Sequence, residues 1–589
     1  MSFWSKIGRL FTVDDTILDE DFYLTPTNEE AQKYSNEELG VPPEEKKQGN
    51  KKRIKTIREL QKKPDTRSLD SPQVFSDISL NKKRIERDFY LPKNSDIVVR
   101  EFWIPLHPPI EAMIVFTEGL VDSKVINNNI LEPLMMLAAL PEEKRDNSRF
   151  QMIKNTLLPG NQVMQYERWE DVKKNILAGS TAVFVDGVDV AFLVETKGWE
   201  HRNVSDSKAE AAIRGPHDAF TENLRTNTGL VRSRLRTEHL ITEMTQVGKL
   251  APTDVAIMYV KGIANPKLVS EVKRRINAIK ADFLQDSGVL EQYIEDRTAL
   301  LIPKMTSTER PDRVAASLAE GFVAVFVGQS SFALIMPTMI WSMMQTSEDY
   351  YMRSPIASVI RVGRILSLII ALLLPAQYIA IANYHPEMIP TDLMLAIAAA
   401  REKVPFPLIF EVIMMEFGIE LILEAGIRIP NVIGPTIGIV GALILGEAAV
   451  QARVVSPLLV IVVAITTLAT FTMPNTGFAL GIRVLRFGYV LLASFWGFYG
   501  ITLGVIALLM QWACSKSFGV PILSPMAPFQ PPVGDTMVRV EPYKETHRPS
   551  PLFTGREHRE NTITRTWDPT VHDSREARSG MKEERDQDD

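Results

Sequence analysis

Hydrophobic and polar positions divide this chain into two regimes. Up to about residue 360, apolar residues come in short runs broken by charge. That is the pattern of strands and helices alternating in a globular fold. From Ile365 onward the runs lengthen. Residues 365–382, 429–446, 454–482 and 487–515 contain no Asp, Glu, Lys or Arg. A helix needs about 20 predominantly apolar residues to cross a bilayer. Two runs reach that length, and two reach it with their flanks. The expectation is a soluble α/β half followed by a polytopic helical membrane domain at 337–520.

The soluble half contains an internal repeat. EAMIVFTEGLVDSKVI at Glu111–Ile126 aligns with DVAIMYVKGIANPKLV at Asp254–Val269, placing Gly119 and Gly262 143 positions apart. Glu167-Arg168 and Glu309-Arg310 recur at an offset of 142, as do GSTAVFV at Gly179–Val185 and GFVAVFV at Gly321–Val327. A shared offset at separated matches marks copies of one unit. Each copy reads as a strand (Ile97–Ile104; Leu240–Val247), a second strand (Met113–Phe116; Val255–Val260), then a glycine and a helix (Ser123–Leu140; Pro266–Ile279). A short amphipathic helix and a β-hairpin follow (Thr181–Val194; Val323–Met336), and Asp186-Gly187 is a hairpin turn signal. We therefore expect two repeated α/β domains, 72–196 and 217–336, joined by a polar linker at 197–216 that leads into a helical stretch at His217–Leu235.

The repeat also assigns the charge-free stretch 321–347. Its first half aligns with a hairpin carrying Asp186, Asp189 and Glu195, so it reads as a buried hairpin followed by a short apolar helix at 337–346. The flanks, 1–71 and 521–589, offer little to bury and read as a disordered polar arm and a disordered C-terminal tail. The basic part of the arm suits either solvent or anionic headgroups.

Net charge is −6, which argues against nucleic acid as the main partner. A single cysteine, Cys514, excludes disulfide frameworks and cysteine-rich metal sites. The eight histidines show no metal-ligand spacing. No phosphate-binding glycine loop or nucleophile elbow is present. The expectation is a protein without cofactor or metal, and not an enzyme. The N-terminus lacks the apolar run and cleavage site of a secretory signal. Arg353, Arg361 and Arg364 precede the first long apolar run. Both features place the soluble half in the cytosol.

Two features of the membrane half stand out. Glu416, Glu420 and Glu424 recur every four residues and share one helical face, whereas Glu411 falls on another. Carboxylates facing lipid are costly. The three therefore lie at the interface, pair with a cation such as Arg401, Lys403 or Arg428, or line water as a candidate ion path. Gly434, Gly438, Gly441 and Gly446 form a small-residue face suited to close helix packing, which points to a homo-oligomer.

Arg214-Gly215-Pro216, Phe220, Glu222, Asn227, Arg232 and Arg234 resemble the RGP…F.E…N…R.R pattern of the A subunits of GerA-family spore germinant receptors. Thr308-Glu-Arg-Pro311-Asp, Leu374-Pro375, Val404-Pro-Phe-Pro407, Glu424-Ala-Gly-Ile-Arg428-Ile-Pro430 and Ile433–Gly441 add to the resemblance, which covers about 75–530. Two departures stand out: Val327-Gly328-Gln329 lacks an Asp-Gly turn, and the terminal tails are long. The resemblance implies a multi-pass protein of the endospore inner membrane. It further implies assembly as a ring, a pentamer, with a transporter-like B subunit that senses nutrient and a lipoprotein C subunit. The function implied is a nutrient-gated monovalent-cation channel that starts germination. A non-conducting scaffold, or a paralogue accompanying dipicolinate release, are the alternatives.

Overall fold

The computed structural model describes residue 24 and residues 69–105, 109–135, 163–198, 210, 212–296, 300–428, 446–530 and 535–559. Most of the N-terminal arm, residues 136–140 of the expected first helix, Gly434, Gly438 and Gly441, and the end of the tail lie outside the described residues.

Two five-stranded sheets make up the soluble half, ordered β1-β2-β4-β5-β3 and β6-β7-β9-β10-β8. The first comprises β1 (Ile97–Ile104), β2 (Ile110–Thr117), β3 (Val163–Tyr166), β4 (Ser180–Val185) and β5 (Ala191–Glu195). The second comprises β6 (Leu240–Val247), β7 (Thr253–Val260), β8 (Thr306–Thr308), β9 (Val323–Val327) and β10 (Ala333–Met336). All strand neighbours within the two sheets are antiparallel. Register repeats with order: Ile97 faces Thr117 as Leu240 faces Val260. The charge-free stretch at 323–336 is thus a hairpin inside a sheet, with all its strand residues buried.

Strand alternation sends successive side chains to opposite faces, and the first sheet uses both. Ala112, Ile114, Val183, Val185 and Phe192 pack under the helical run Ser123–Met135. Met113, Val115, Ala182, Phe184 and Leu193 pack against α1 (Ile78–Asp88) and α2 (Trp169–Leu177). Asp77 caps α1 by accepting the Ser79 N–H. Between the sheets lies α3 (Leu224–Arg234), whose first turn is capped by Asn223. On the second sheet lie α4 (Pro266–Asn277), α5 (Ser287–Ile294) and α6 (Pro311–Ala319).

The membrane half is a bundle of α7 (Ser354–Tyr384), the exposed α8 (Thr391–Arg401), α9 (Leu408–Arg428), α10 (Pro457–Phe471) and α11 (Thr476–Ala513). Here two charge-free runs are each broken by backbone. The run 454–482 breaks at Met473-Pro474, where Asn475 caps a new helix by accepting the Phe478 N–H. The run 487–515 breaks at Gly497, whose φ of 55° and ψ of −138° are not helical. A straight helix of 38 residues would be about 57 Å long. Yet the rings of Phe478 and Trp512, near its two ends, are 6.5 Å apart. The chain therefore reverses at Gly497, and α11 is a helical hairpin.

That reversal orders the bundle. Residues 347–364 and 476–481 stand beside the soluble half, where Asp349 pairs with Arg361 and Arg364 and Gly481 lies against Leu301. At the far end, the Tyr384 hydroxyl donates to Ser494 O and His385 packs on Phe498. The second arm of the hairpin returns to the soluble side, where Ser517 donates to Lys304 O and the Ile340 N–H donates to Ile522 O.

Two expected boundaries differ. Lys197, expected to begin the linker, stays on the first sheet: it bridges Val121, just after the Asp122 N–H donates to Thr196 O. The segment 535–559, expected to be disordered, packs back on the second sheet, with Leu552 fully buried and Arg539 6% exposed. Composition understated it because its anchors are arginines bonded to backbone carbonyls, which hydropathy counts as solvent-seeking.

Candidate functional site at the membrane junction

The acids of α9 meet arginines of α11. Glu416 is 1% exposed and lies 2.6 Å from Arg486, itself 2% exposed. Glu420 lies 2.9 Å from Arg483 and 3.5 Å from Arg486. Glu424 is exposed one turn further toward the soluble half. Glu411, on the other face, accepts the Ser456 N–H and lies 3.9 Å from Arg401. The partners of Glu416 and Glu420 are thus Arg483 and Arg486, not the neighbours in sequence. Arg483 and Arg486 stand three apart on one helix, and a helix pairing Glu416 with Glu420 needs that spacing opposite it. That spacing was the available sequence signal.

Beside this cluster is a cavity of about 470 Å³ between the bundle and the soluble half. Glu420, Arg483, Arg486 and Phe471 line one wall; Glu210, Arg310, Arg313 and Glu348 line the other. Arg486 Nε and Nη1 and Arg483 Nε are buried with no hydrogen-bond partner among the described residues. Buried charged donors call for water or ligand acceptors, and here they stand in a wall that is otherwise largely apolar, with Ile419, Leu423, Met473 and Leu480 beside them. Gly446 belongs elsewhere: its Cβ position lies 3.6 Å from Val460 of α10, a helix-packing contact.

The motif around α3 is a second cluster, and it joins the sheets. Arg232 is fully buried; it pairs with Asp96 at 2.8 Å and donates to Leu240 O at 2.9 Å. Asn227 is buried and holds the chain at Thr221 and Ser330 through its amide. Phe220 packs edge-on against Phe326 with ring centroids 5.1 Å apart, and Glu222 O accepts the Gln329 N–H. Arg234 clasps Asp218 with bonds of 2.5 and 2.7 Å. Gly215 has φ of +121° and packs against the ring of Tyr351, leaving no room for a Cβ. Pro216 O accepts from Arg310 at 2.9 Å; Arg214 is exposed.

Sequence reading missed Asp96, Glu210 and Tyr351; Arg310 and Asp312 lay within the quoted motif Thr308-Glu-Arg-Pro311-Asp, but without a partner assigned. Burial opposes ionisation of Asp312, but hydrogen bonds from Arg310 and Tyr351 hold its carboxyl below the usual range. Burial and that same hydrogen bond push the Tyr351 hydroxyl up to about 12. Among the described residues no group of three or more His, Cys, Asp or Glu is placed to hold a metal ion. The chemistry that these two clusters offer is charge pairing and hydrogen bonding.

Comparison with known proteins gives this arrangement its context. Residues 83–551 match the family described as Bacillus/Clostridium GerA spore germination protein. Spore germination protein KA of Bacillus subtilis strain 168 is 38% identical over 482 residues, 82% of this chain and 87% of that protein. The uncharacterized membrane protein YfkQ of the same strain is 39% identical over 462 residues, 78% of this chain and 89% of that protein. The crystal structure of the N-terminal domain of the A subunit of the Bacillus megaterium spore germinant receptor GerK3 is 31% identical. It covers 46% of this chain and 97% of that one, with a TM-score of 0.34. With most of its length matched by the family and helices long and apolar enough to span, this chain is a membrane protein of the GerA family of spore germination proteins, and not an enzyme.

Proposed function

We propose that the chain is the A subunit of a spore germinant receptor. In this reading it assembles with copies of itself, a pentamer by family resemblance, into a nutrient-gated monovalent-cation channel of the endospore inner membrane. It acts there with a transporter-like B subunit and a lipoprotein C subunit. One observation carries the reading: a bundle joined at its foot to the second repeat, where the Tyr351 hydroxyl donates to Asp312, still has open helix faces. Gly363 of α7, Gly426 of α9 and Gly488 of α11 have nothing within 4 Å of a Cβ position. Ile356, Val359, Leu366 and Phe495 are exposed on α7 and α11. Small residues let a neighbouring backbone approach closely.

Orientation follows from charge. Arg353, Arg361, Arg364, Arg483 and Arg486 lie toward the soluble half; Arg401, Lys403 and Arg453 lie toward the far side. That bias supports a cytosolic soluble half. Glu416, Glu420 and Glu424 stand as the candidate ion path of α9, and the pairing of the first two with Arg486 and Arg483 favours a structural role for them. A second reading, the non-conducting scaffold, is favoured by the pairing of Glu416 and Glu420 within their own protomer, which leaves less free negative charge to draw cations. Purified protein in planar bilayers, with mass measured in mild detergent, separates them. Cation conductance from oligomers supports the channel, and electrical silence from verified oligomers supports the scaffold. A strictly monomeric, folded preparation counts against both.

A further inference from the structure

The two repeats end differently. After β5 the first continues directly, with the Asp122 N–H donating to Thr196 O at 2.9 Å. Lys197 Cγ then lies 3.4 Å from the Cβ position of Gly179. After β10 the chain instead leaves for the membrane through Pro337, so the second repeat has no continuation of its own. That place is filled by a segment that returns after the membrane half. Asn265, the counterpart of Asp122, donates through Nδ2 to Phe553 O at 3.1 Å. The Gly555 N–H donates to Ile263 O at 3.0 Å. Thr554 Cγ2 lies 2.6 Å from the Cβ position of Gly321, the counterpart of Gly179. Phe553, Thr554 and Gly555 stand on the second repeat where Thr196, Lys197 and Gly198 stand on the first.

The same segment begins at the foot of α7. Asp535 accepts from Arg361 with both carboxylate oxygens, at 2.5 and 3.1 Å. Arg539 donates to the carbonyls of Asp349, Tyr350 and Met352. Those carbonyls close the short helix Ser347–Tyr351 just before α7. Between the two ends Arg548 donates to Ala319 O, and at the last residue Arg559 pairs with Glu320 and Glu545.

We propose that residues 535–559 are a strap that completes the second α/β repeat and couples it, as one body, to the first turns of α7. Charge and carbonyl contacts hold most of its length, and its apolar anchors cluster at Leu552 and Phe553. Either end can therefore be released without unfolding the sheet. A strap fastened at both ends carries displacement of the second repeat into the spanning helix; a tail fastened at one end does not. This coupling holds whether or not the bundle conducts.

Hydrogen exchange on the full chain in lipid nanodiscs tests it. Gly555→Val drives a side chain toward Gly262 O, 2.8 Å from the Cβ position, and releases the far end. Asp535→Asn with Arg539→Gln releases the near end and leaves the core untouched. Each variant is expected to speed exchange at least about tenfold at its own end and about threefold or more at the other, with β1–β5 unchanged. The ends to be read are 347–361 and the turn 261–265. Acceleration confined to the mutated end overturns the coupling, as does a wild type in which 535–559 exchanges freely. If Gly555→Val also loses protection in β6–β10, the Asp535/Arg539 variant alone decides.

Discussion

Arg232 and Asp96 form a fully buried ion pair 2.8 Å long between residues 136 positions apart. Asp96 precedes the first strand of one sheet, and Arg232 sits in the helix that opens the other. The Thr242 hydroxyl also donates to Asp96 Oδ2 at 2.5 Å, and Gly229 of the same helix touches the Gly119 turn. The two repeats are therefore held in one relative orientation by charge and close backbone contact.

Removing half of this pair should be far worse than removing both. Arg232→Ala leaves the buried carboxylate with only the part-exposed Arg225, 3.8 Å away, a loss of about 3 kcal/mol. Arg232→Met with Asp96→Asn should recover a large part. Thermal unfolding of the full chain in detergent reads both; equal loss in the single and double variants would mean that the pair does not govern the junction.

The same logic applies within the bundle. Arg486→Met leaves Glu416 buried without a partner and is expected to reduce the yield of folded, inserted protein severalfold, with Glu416→Gln added in the same chain restoring it. The triple change of Glu416, Glu420 and Glu424 to Gln should act mainly on stability, because the first two acids already face arginines. A triple variant that assembles with normal stability but conducts cations less well would instead put these acids in the ion path.

Gly497 turns the hairpin at the far end of the bundle, and an added Cβ there would stand 3.1 Å from the Tyr384 ring. Gly497→Val adds positive-φ strain to that clash and should lower the melting temperature by several degrees. The hairpin also returns the chain to the side of the soluble half, where Ser517 and Ile522 bond Lys304 and Ile340. Tags at the N- and C-termini should be digested together by a protease added to one face of sealed vesicles. Digestion of one tag only would mean an odd number of crossings.

Burial, reinforced by the charge of Glu295, pushes Glu291 up to about 7. Burial likewise raises Glu295 to about 7, against the opposing charge of Lys304. A carboxyl raised in the folded state keeps a proton that the unfolded chain has lost. This contribution to stability is present below about pH 4.5 and fades as pH rises to about 7. The double change Glu291→Gln, Glu295→Gln should therefore melt close to wild type at pH 4.5. At pH 8 it should melt about 5 °C above it. A gap that does not widen with pH would refute the assignment.

What the sequence determined by itself was local and periodic. Strands at Ile97–Ile104 and Leu240–Val247, the hairpin at 323–336 and the α9 acids on one face follow from alternation, a repeated offset and helical spacing, all of which reside in neighbouring residues. What only the tertiary structure decided were the partners and the turns. Asp96 for Arg232, Arg486 for Glu416 and Asp535 for Arg361 are pairings across 136, 70 and 174 positions, and any basic residue could have met any acid. The strap was hidden because arginine bonds to carbonyls leave no apolar pattern. The hairpin at Gly497 was hidden because hydropathy reports that a run tolerates lipid, not that its backbone continues. A chain's periodicity fixes which face is apolar; which distant face meets it is settled by packing, and that is where the charges, the cavity and the strap of this protein come together.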